Sequence, residues 1–103
     1  MIRDVTHSVS GSLITVNFTA MNRVDKTQKI ECEILVTAPE EIADATVWNP
    51  VARKRIIFAL LPQAEKKLQE SLQFYRPWRP SHIFGHNLRI DIVIVGISES
   101  KDT

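Results

Sequence analysis

The sequence contains one cysteine, Cys32, so no disulfide can form within the chain. A fold that does not depend on disulfides is typical of a reducing compartment. No apolar run approaches the roughly 18 residues that a membrane-spanning helix needs. Residues 1–7 also lack the long apolar core of a signal peptide. We therefore expect a soluble, cytoplasmic protein that does not insert into membranes.

Glycine is also scarce, with three residues in a chain of 103. Phosphate-binding loops and dinucleotide-binding turns need several glycines at fixed positions, and no Ser-His-Asp arrangement can be assembled. Cys32 alternates with Ile30 and Ile34, which predicts a buried, small apolar side chain rather than a nucleophile. His82 and His86 are four residues apart, but Gly85 lies between them and disfavours the helix that would bring them together. We therefore predict no enzymatic activity, no cofactor and no metal site.

The charge is nearly balanced, with a net value of +1, but it is segregated along the chain. Residues 29–44 hold five acidic side chains against one lysine, whereas residues 51–80 hold seven basic side chains against two acidic ones. These two regions either pair with each other within the fold, pair between copies, or serve a charged partner. The net charge alone gives no reason to expect nucleic acid.

Three stretches have the pattern of β-strands. Apolar residues alternate with polar ones over residues 13–20 and again over 29–37, and the polar stretch between them predicts an antiparallel hairpin spanning 13–37. Ser10-Gly11-Ser12 indicates a turn before the first strand. Residues 88–97 are dense in β-branched side chains and apolar on both faces, which predicts a strand inside the sheet, with a bulge or close backbone approach at Gly96.

Helices are predicted between the second and the last strand. Thr37 and Glu40 have the spacing of a capping box, which indicates a short helix through about Val47. Asn49-Pro50 repeats the start signal. The apolar residues that follow recur at helical steps, which favours either one helix over 50–75 kinked at Pro62 or two helices meeting there: Ile57, Leu61, Ala64, Leu68, Leu72 and Tyr75.

The predicted fold class is therefore α+β, in the order β-β-α-α-β. A small antiparallel or mixed sheet would carry its helices on one face, and residues 1–103 would form a single domain. Residues 1–9 are interpreted as an arm or an edge strand, and residues 98–103 as a frayed tail.

The most distinctive segment is residues 74–86, where aromatic and basic side chains are interleaved and two prolines stiffen the backbone. Trp, Tyr and Arg are the residue types that anchor protein interfaces. The predicted partner-binding residues are Tyr75, Arg76, Trp78, Arg79, His82 and Phe84. The alternative is structural: Trp78 and Phe84 close the end of the core, and the arginines pair with nearby acids.

The sequence thus favours a small protein–protein interaction or assembly module, whose partner is another protein or a second copy that pairs at a sheet edge. The alternative function is nucleic-acid binding through the basic region 53–79, because cations beside aromatic side chains can follow phosphates and stack bases. The residues for that alternative are Arg53, Lys54, Arg55, Lys66 and Lys67.

Overall fold

The residues that the structure describes form six β-strands and contain no helix. The structure is a computed structural model that describes residues 1–75 and 88–99, including every side chain there except those of residues 40–42. The strands are β1 (Ile2–Ser10), β2 (Leu13–Met21), β3 (Gln28–Ile42), β4 (Ala45–Leu60), β5 (Glu65–Gln73) and β6 (Arg89–Glu99).

The strands form two three-stranded antiparallel sheets. Sheet A has the order β1-β2-β5 and sheet B the order β4-β3-β6, so that β2 and β3 are the central strands. One face of each central strand is buried. The buried apolar residues of β2 are Ile14, Val16, Phe18 and Ala20, and those of β3 are Ile30, Cys32, Ile34, Val36 and Ala38. All of them belong to one core cluster, so the described chain is a β-sandwich with a single core and is one domain.

The prediction of an α+β fold is wrong, because the segments assigned to helices are strands. The six apolar residues of the predicted helical stripe do not share a buried face: Ile57, Leu61 and Tyr75 are exposed. In β4 the true period is two, with Ile56, Phe58 and Leu60 buried. β5 was predicted as a helix because Leu68 and Leu72 are four residues apart. Side chains at that spacing lie on one face of a helix and also on one face of a strand.

Three residues at or next to the predicted helix starts, Thr37, Pro39 and Pro50, occupy irregular or one-sided places in sheet B. Beyond Thr37, which pairs with Arg89, the described strands give β3 a neighbour on one side only, so Pro39 is tolerated there. Pro50 lies opposite Thr37 beside a shift in the β3–β4 register, where a strand also tolerates a proline. Thr37 itself is within β3 and caps nothing.

Strands are confirmed where the sequence predicts them over 13–20, 29–37 and 88–97, but their predicted pairing is wrong. β2 and β3 are not a hairpin, because they lie in opposite sheets and pack face to face. β6 is an edge strand of sheet B rather than an internal strand. The register shifts between Glu31 and Cys32, where the extra residue on β6 is Val95, so the expected irregularity next to Gly96 is confirmed as a bulge.

The two ends of the chain join these sheets. Ile2–Ser10, within the segment interpreted as an arm or edge strand, is the edge strand β1 of sheet A. Ser98 and Glu99, placed in the predicted frayed tail, belong to β6, whereas residues 100–103 lie outside the described part of the chain.

One side of the sandwich is closed by contacts between β4 and β5. The ammonium of Lys54 lies 3.0 Å from a carboxylate oxygen of Glu70, and the backbone N–H of Tyr75 donates to the carbonyl oxygen of Val51 at 2.8 Å. β1 and β6 lie on the opposite side. Both of these are edge strands, and that side is closed less tightly, because Ile90, Ile92 and Ile94 are only partly buried.

Asn22 holds the point where the chain passes from sheet A to sheet B. The residue is buried, and its backbone N–H donates to the carbonyl of Ala64 at 2.9 Å. Its side-chain oxygen accepts the N–H of Val24 at 3.0 Å. Its two amide hydrogens are shared among the carbonyl oxygens of Lys26 (2.7 Å), Leu61 (3.0 Å) and Leu60 (3.2 Å). This one side chain therefore links the β2–β3 connection to the β4–β5 connection.

We expect Asn22→Ala to lower the free energy of unfolding by about 2–3 kcal/mol, because buried carbonyl groups lose their donors. Asn17→Ala is the matched control on the outer face of β2 and should cost about 0.5 kcal/mol. Urea denaturation followed by tryptophan fluorescence measures both. Equal losses for the two variants would show that the Asn22 hydrogen bonds contribute nothing specific.

The β3–β4 hairpin turns through Ala43 and Asp44, which both have positive φ (49° and 67°). A two-residue turn with this backbone favours Asn-Gly, and alanine is strained there. We expect the double change Ala43→Asn, Asp44→Gly to stabilise the tip by about 0.5–1 kcal/mol. Amide exchange of residues 38–49 should slow about two- to fivefold. Ala45→Gly, one residue further on in a strand, is the control and should speed that exchange.

Candidate functional site

The β3–β4 hairpin extends beyond the rest of sheet B. β3 and β4 have 15 and 16 residues, whereas β6 pairs with β3 only from Gln28 to Thr37. Residues 38–49, which we call the arm, are therefore a two-stranded ribbon with no third strand among the described residues. The molecule is correspondingly elongated, with extents of 57 × 24 × 20 Å. A two-stranded ribbon is marginally stable by itself, so additional contacts are needed to hold it.

One such contact comes from an aromatic side chain on the arm and an arginine on β6. The guanidinium carbon of Arg89 lies 4.3 Å from the centre of the Trp48 ring, which is the geometry of a cation–π contact. Register explains the meeting: Arg89 is opposite Thr37 on one side of β3, and Trp48 is opposite Pro39 on the other. Trp48 nevertheless keeps 39% of its surface exposed, so the pair presents an aromatic ring and a cation at the surface.

Tyr75 is the one predicted partner-binding residue that the structure describes. It is 58% exposed, and its backbone hydrogen bond to Val51 holds it at the base of the arm. The other five predicted residues, Arg76, Trp78, Arg79, His82 and Phe84, lie outside the described residues. The described residues on either side of that segment are Tyr75, bonded to Val51, and Leu88, which precedes Arg89. Both ends of that segment are thus at the end of the molecule that carries the arm.

Three of the basic residues proposed for nucleic acid, Arg53, Lys54 and Arg55, lie beside carboxylates. Arg53 lies 3.1 Å from Glu33, and Arg55 lies 3.4 Å from Glu33 and 3.6 Å from Glu31. Lys54 points the other way, toward Glu70 on β5. Of the two charge regions in the sequence, these acidic and basic residues therefore pair with each other within the fold, on the outer face of sheet B. Lys66 and Lys67 lie apart from them, exposed on β5.

Nucleophilic and metal chemistry have little support in the described part of the chain. Cys32 is fully buried at the centre of β3, and burial raises the pKa of its thiol. Residues 1–75 and 88–99 hold no cluster of three or more His, Cys, Asp or Glu side chains that could bind a metal ion. His82 and His86, considered as a pair in the sequence, lie outside the described residues.

Two surface features escaped the sequence interpretation. Trp48 was adjacent to a predicted helix boundary, although its neighbours Thr46 and Val47 are β-branched and indicate a strand. The outer surface of β6 was missed because a strand apolar on both faces was interpreted as internal. In fact Val93 is exposed on that outer face, and Val95 and Ile97, at and beyond the bulge, are exposed as well.

Comparison with protein-family models, with curated proteins and with solved structures gives no match to this chain. Within the described residues there is also no helix long and apolar enough to cross a membrane.

The buried thiol predicts a pH dependence. A thiol whose pKa is raised in the folded state keeps its proton there while the unfolded thiol ionises. Its contribution to stability is therefore complete below the pKa of the unfolded thiol and is lost as the pH rises above it. Relative to Cys32→Ala, the wild-type protein should lose about 1.4 kcal/mol of unfolding free energy per pH unit in that alkaline range.

Urea denaturation of both proteins between neutral and alkaline pH measures the difference, because all other titrating groups are common to the two. Alkylation of Cys32 in the native protein should also be slow and become fast in denaturant. Rapid alkylation under native conditions would contradict the buried position.

Proposed function

We propose that this protein is a small, non-catalytic protein–protein interaction or assembly module. The observation that carries the proposal is the exposed pair of Trp48, on the projecting arm, and Arg89, on β6. Trp and Arg are enriched among the residues that dominate interface energies, because they combine a large contact area with directional polar groups. A stacked pair also has little side-chain freedom left to lose when a partner binds.

The second support is the position of Tyr75. Its exposed ring begins the aromatic and basic segment for which the sequence predicts partner contacts, and its backbone is bonded to β4 just beyond the arm. We propose that Tyr75, Arg76, Trp78, Arg79, His82 and Phe84 contact the partner from the same end of the molecule as Trp48. Tyr75 and Trp78 would be the anchors, and the arginines would meet acidic groups.

Nucleic-acid binding is the weaker proposal. Arg53, Lys54 and Arg55 each have a carboxylate within 3.6 Å. A phosphate would have to displace those carboxylates, which reduces the electrostatic gain from each contact. The immobilised protein can be used to capture its binding partners from source cells. If the captured partners stay bound after nuclease treatment and a moderate rise in salt concentration, they are proteins. If binding falls steeply as the salt concentration rises, nucleic acid is favoured.

The proposal predicts that Trp78→Ala weakens partner binding by about 2 kcal/mol, or roughly 30-fold, as expected of an interface anchor. The immobilised wild-type protein would be loaded with its binding proteins from source cells. Free wild-type protein or a free variant would then compete for them. The ratio of half-displacing concentrations gives the relative affinity without requiring the partner's identity.

Tyr75→Ala should behave like Trp78→Ala, and Ile57→Ala is the control, an exposed apolar residue on β4 away from the arm. Thermal unfolding should stay within about 2 °C of the wild type for all three variants. If Trp78→Ala unfolds the protein, Trp78 is a core residue and the proposed role for it is wrong.

A further inference from the structure

A β-sandwich of two open sheets has four edge strands, and each edge strand has backbone groups available for pairing with another strand. Within residues 1–75 and 88–99, the edges are β1, β5, β4 and β6. Natural proteins protect such edges with charges, bulges or covering contacts. How each of these four is protected indicates where a partner strand can add.

Three of the edges carry obvious protection. β1 is interrupted by a register shift between Arg3 and Thr6, with Asp4 at a positive φ of 56°. β5 has a run of charged residues, Glu65, Lys66 and Lys67, at its start. β4 carries three consecutive basic residues and contacts β5 through the Lys54–Glu70 ion pair.

β6 is different, because its central residues Ile92–Ile97 contain no charged side chain. Val93 and Ile97 are 53% and 54% exposed, although both pair with β3, one on each side of the bulge at Val95. Ile97 lies directly opposite Ile30, which is buried, so Ile97 has the orientation of a core residue but lacks cover on its open side. An uncharged, β-branched edge of this kind is a site for strand addition.

The sequence of β6 is suited to pairing with itself. In an antiparallel pair, side chains directly opposite each other share a face of the sheet. A two-fold axis at Val93 satisfies this rule: Val93 meets Val93 of the second copy on the outer face, and Ile92 meets Ile94 on the inner face. Because Val95 is the extra residue of the bulge and takes no partner, the next pair on the inner face is Ile90 opposite Ile97 of the second copy. This contact covers Ile97.

Charges select this register over its neighbours. With the axis at Val93, Arg89 and Asp91 face Ser98 and Gly96 of the second copy, so no like charges oppose each other. An axis at Ile92 brings the two Asp91 carboxylates to diagonal positions, where they repel. An axis at Ile94 places the Glu99 carboxylate opposite the apolar Ile90, inside the paired strands, whereas the axis at Val93 places it opposite Leu88, which precedes the first residue of β6.

We infer that β6 is the surface through which two copies of this chain pair, antiparallel and about a two-fold axis at Val93. Sheet B then continues as six strands across the dimer, in the order β4-β3-β6-β6-β3-β4. Each copy has one open β6 edge, and the two-fold contact uses both of them. The assembly is therefore closed at two copies and does not grow into a filament. The inference rests on the proposed function in naming a second copy as one partner of the module, but it uses a surface separate from Tyr75 and Trp78.

Light scattering on a sizing column, over a roughly hundredfold range of concentration, tests the pairing. The wild-type protein should have the mass of a dimer that dissociates on dilution. Val93→Lys should raise the dissociation constant at least about tenfold, because two unpaired ammonium groups would meet at the axis. Ile57→Lys is the matched control, since Ile57 is 56% exposed on the same face of sheet B but on β4. It should change the constant by less than about twofold.

Hydrogen exchange provides a readout that does not depend on any substitution. Those β6 amides that do not donate to β3 should exchange fast in the dilute monomer and slowly in the dimer. A protein that is monomeric throughout, a mass above that of a dimer, a dimer insensitive to Val93→Lys, or fast β6 exchange in the dimer would each overturn the inference. None of these outcomes affects the result of the competition experiment with Trp78→Ala. That experiment decides separately whether the module binds a different protein.

Discussion

The packing of β2 against β3 is the contact on which the rest of the molecule depends. Each strand has one face that is apolar and one that is polar, and stacking the two apolar faces removes both from water at once. Because β2 and β3 are central, every other strand is placed by hydrogen bonding to one of them. Asn22 sits where the chain leaves one face of this core for the other, which is why so many of its polar atoms are satisfied within the protein.

The same arrangement explains why surface features concentrate at one end and along one side. β3 and β4 extend beyond the strands beside them, and their projecting ends form the arm. The connection from β5 to β6 begins and ends at the base of that arm. On the β4–β5 side an ion pair and a backbone hydrogen bond close the sandwich. On the β1–β6 side the isoleucines of β6 are only partly covered. The interaction surfaces proposed for this protein, at the arm and along β6, therefore lie where the covered core ends.

Sequence patterns located the strands with one apolar face, because alternation of Ile14, Val16 and Phe18 with polar residues has a single interpretation. They failed for β5, because the spacing of Leu68 and Leu72 fits both the period of a helix and that of a strand. They failed for β4, because Asn49-Pro50 is also a typical helix start. Pairing could not be predicted either, since alternation shows that a face is buried but not whether an adjacent strand or an opposing sheet covers it. Tyr75 was predicted both as a partner contact and as the last residue of the helical stripe, and it is exposed. Val93 was expected to be covered, because a strand that is apolar on both faces is typical of the inside of a sheet.

The position of β6 in the chain has a consequence for how the protein folds. The β1–β2 and β3–β4 hairpins close over short loops, but β6 must find β3 across more than half of the sequence, and contacts of such long separation form slowly. Until they form, the open side of β3 and the Ile92–Ile97 segment are both unprotected in the same chain. The folding yield of this protein should therefore depend on chain concentration more strongly than its small size suggests, and it should be highest where β6 reaches its own β3 before it meets another molecule.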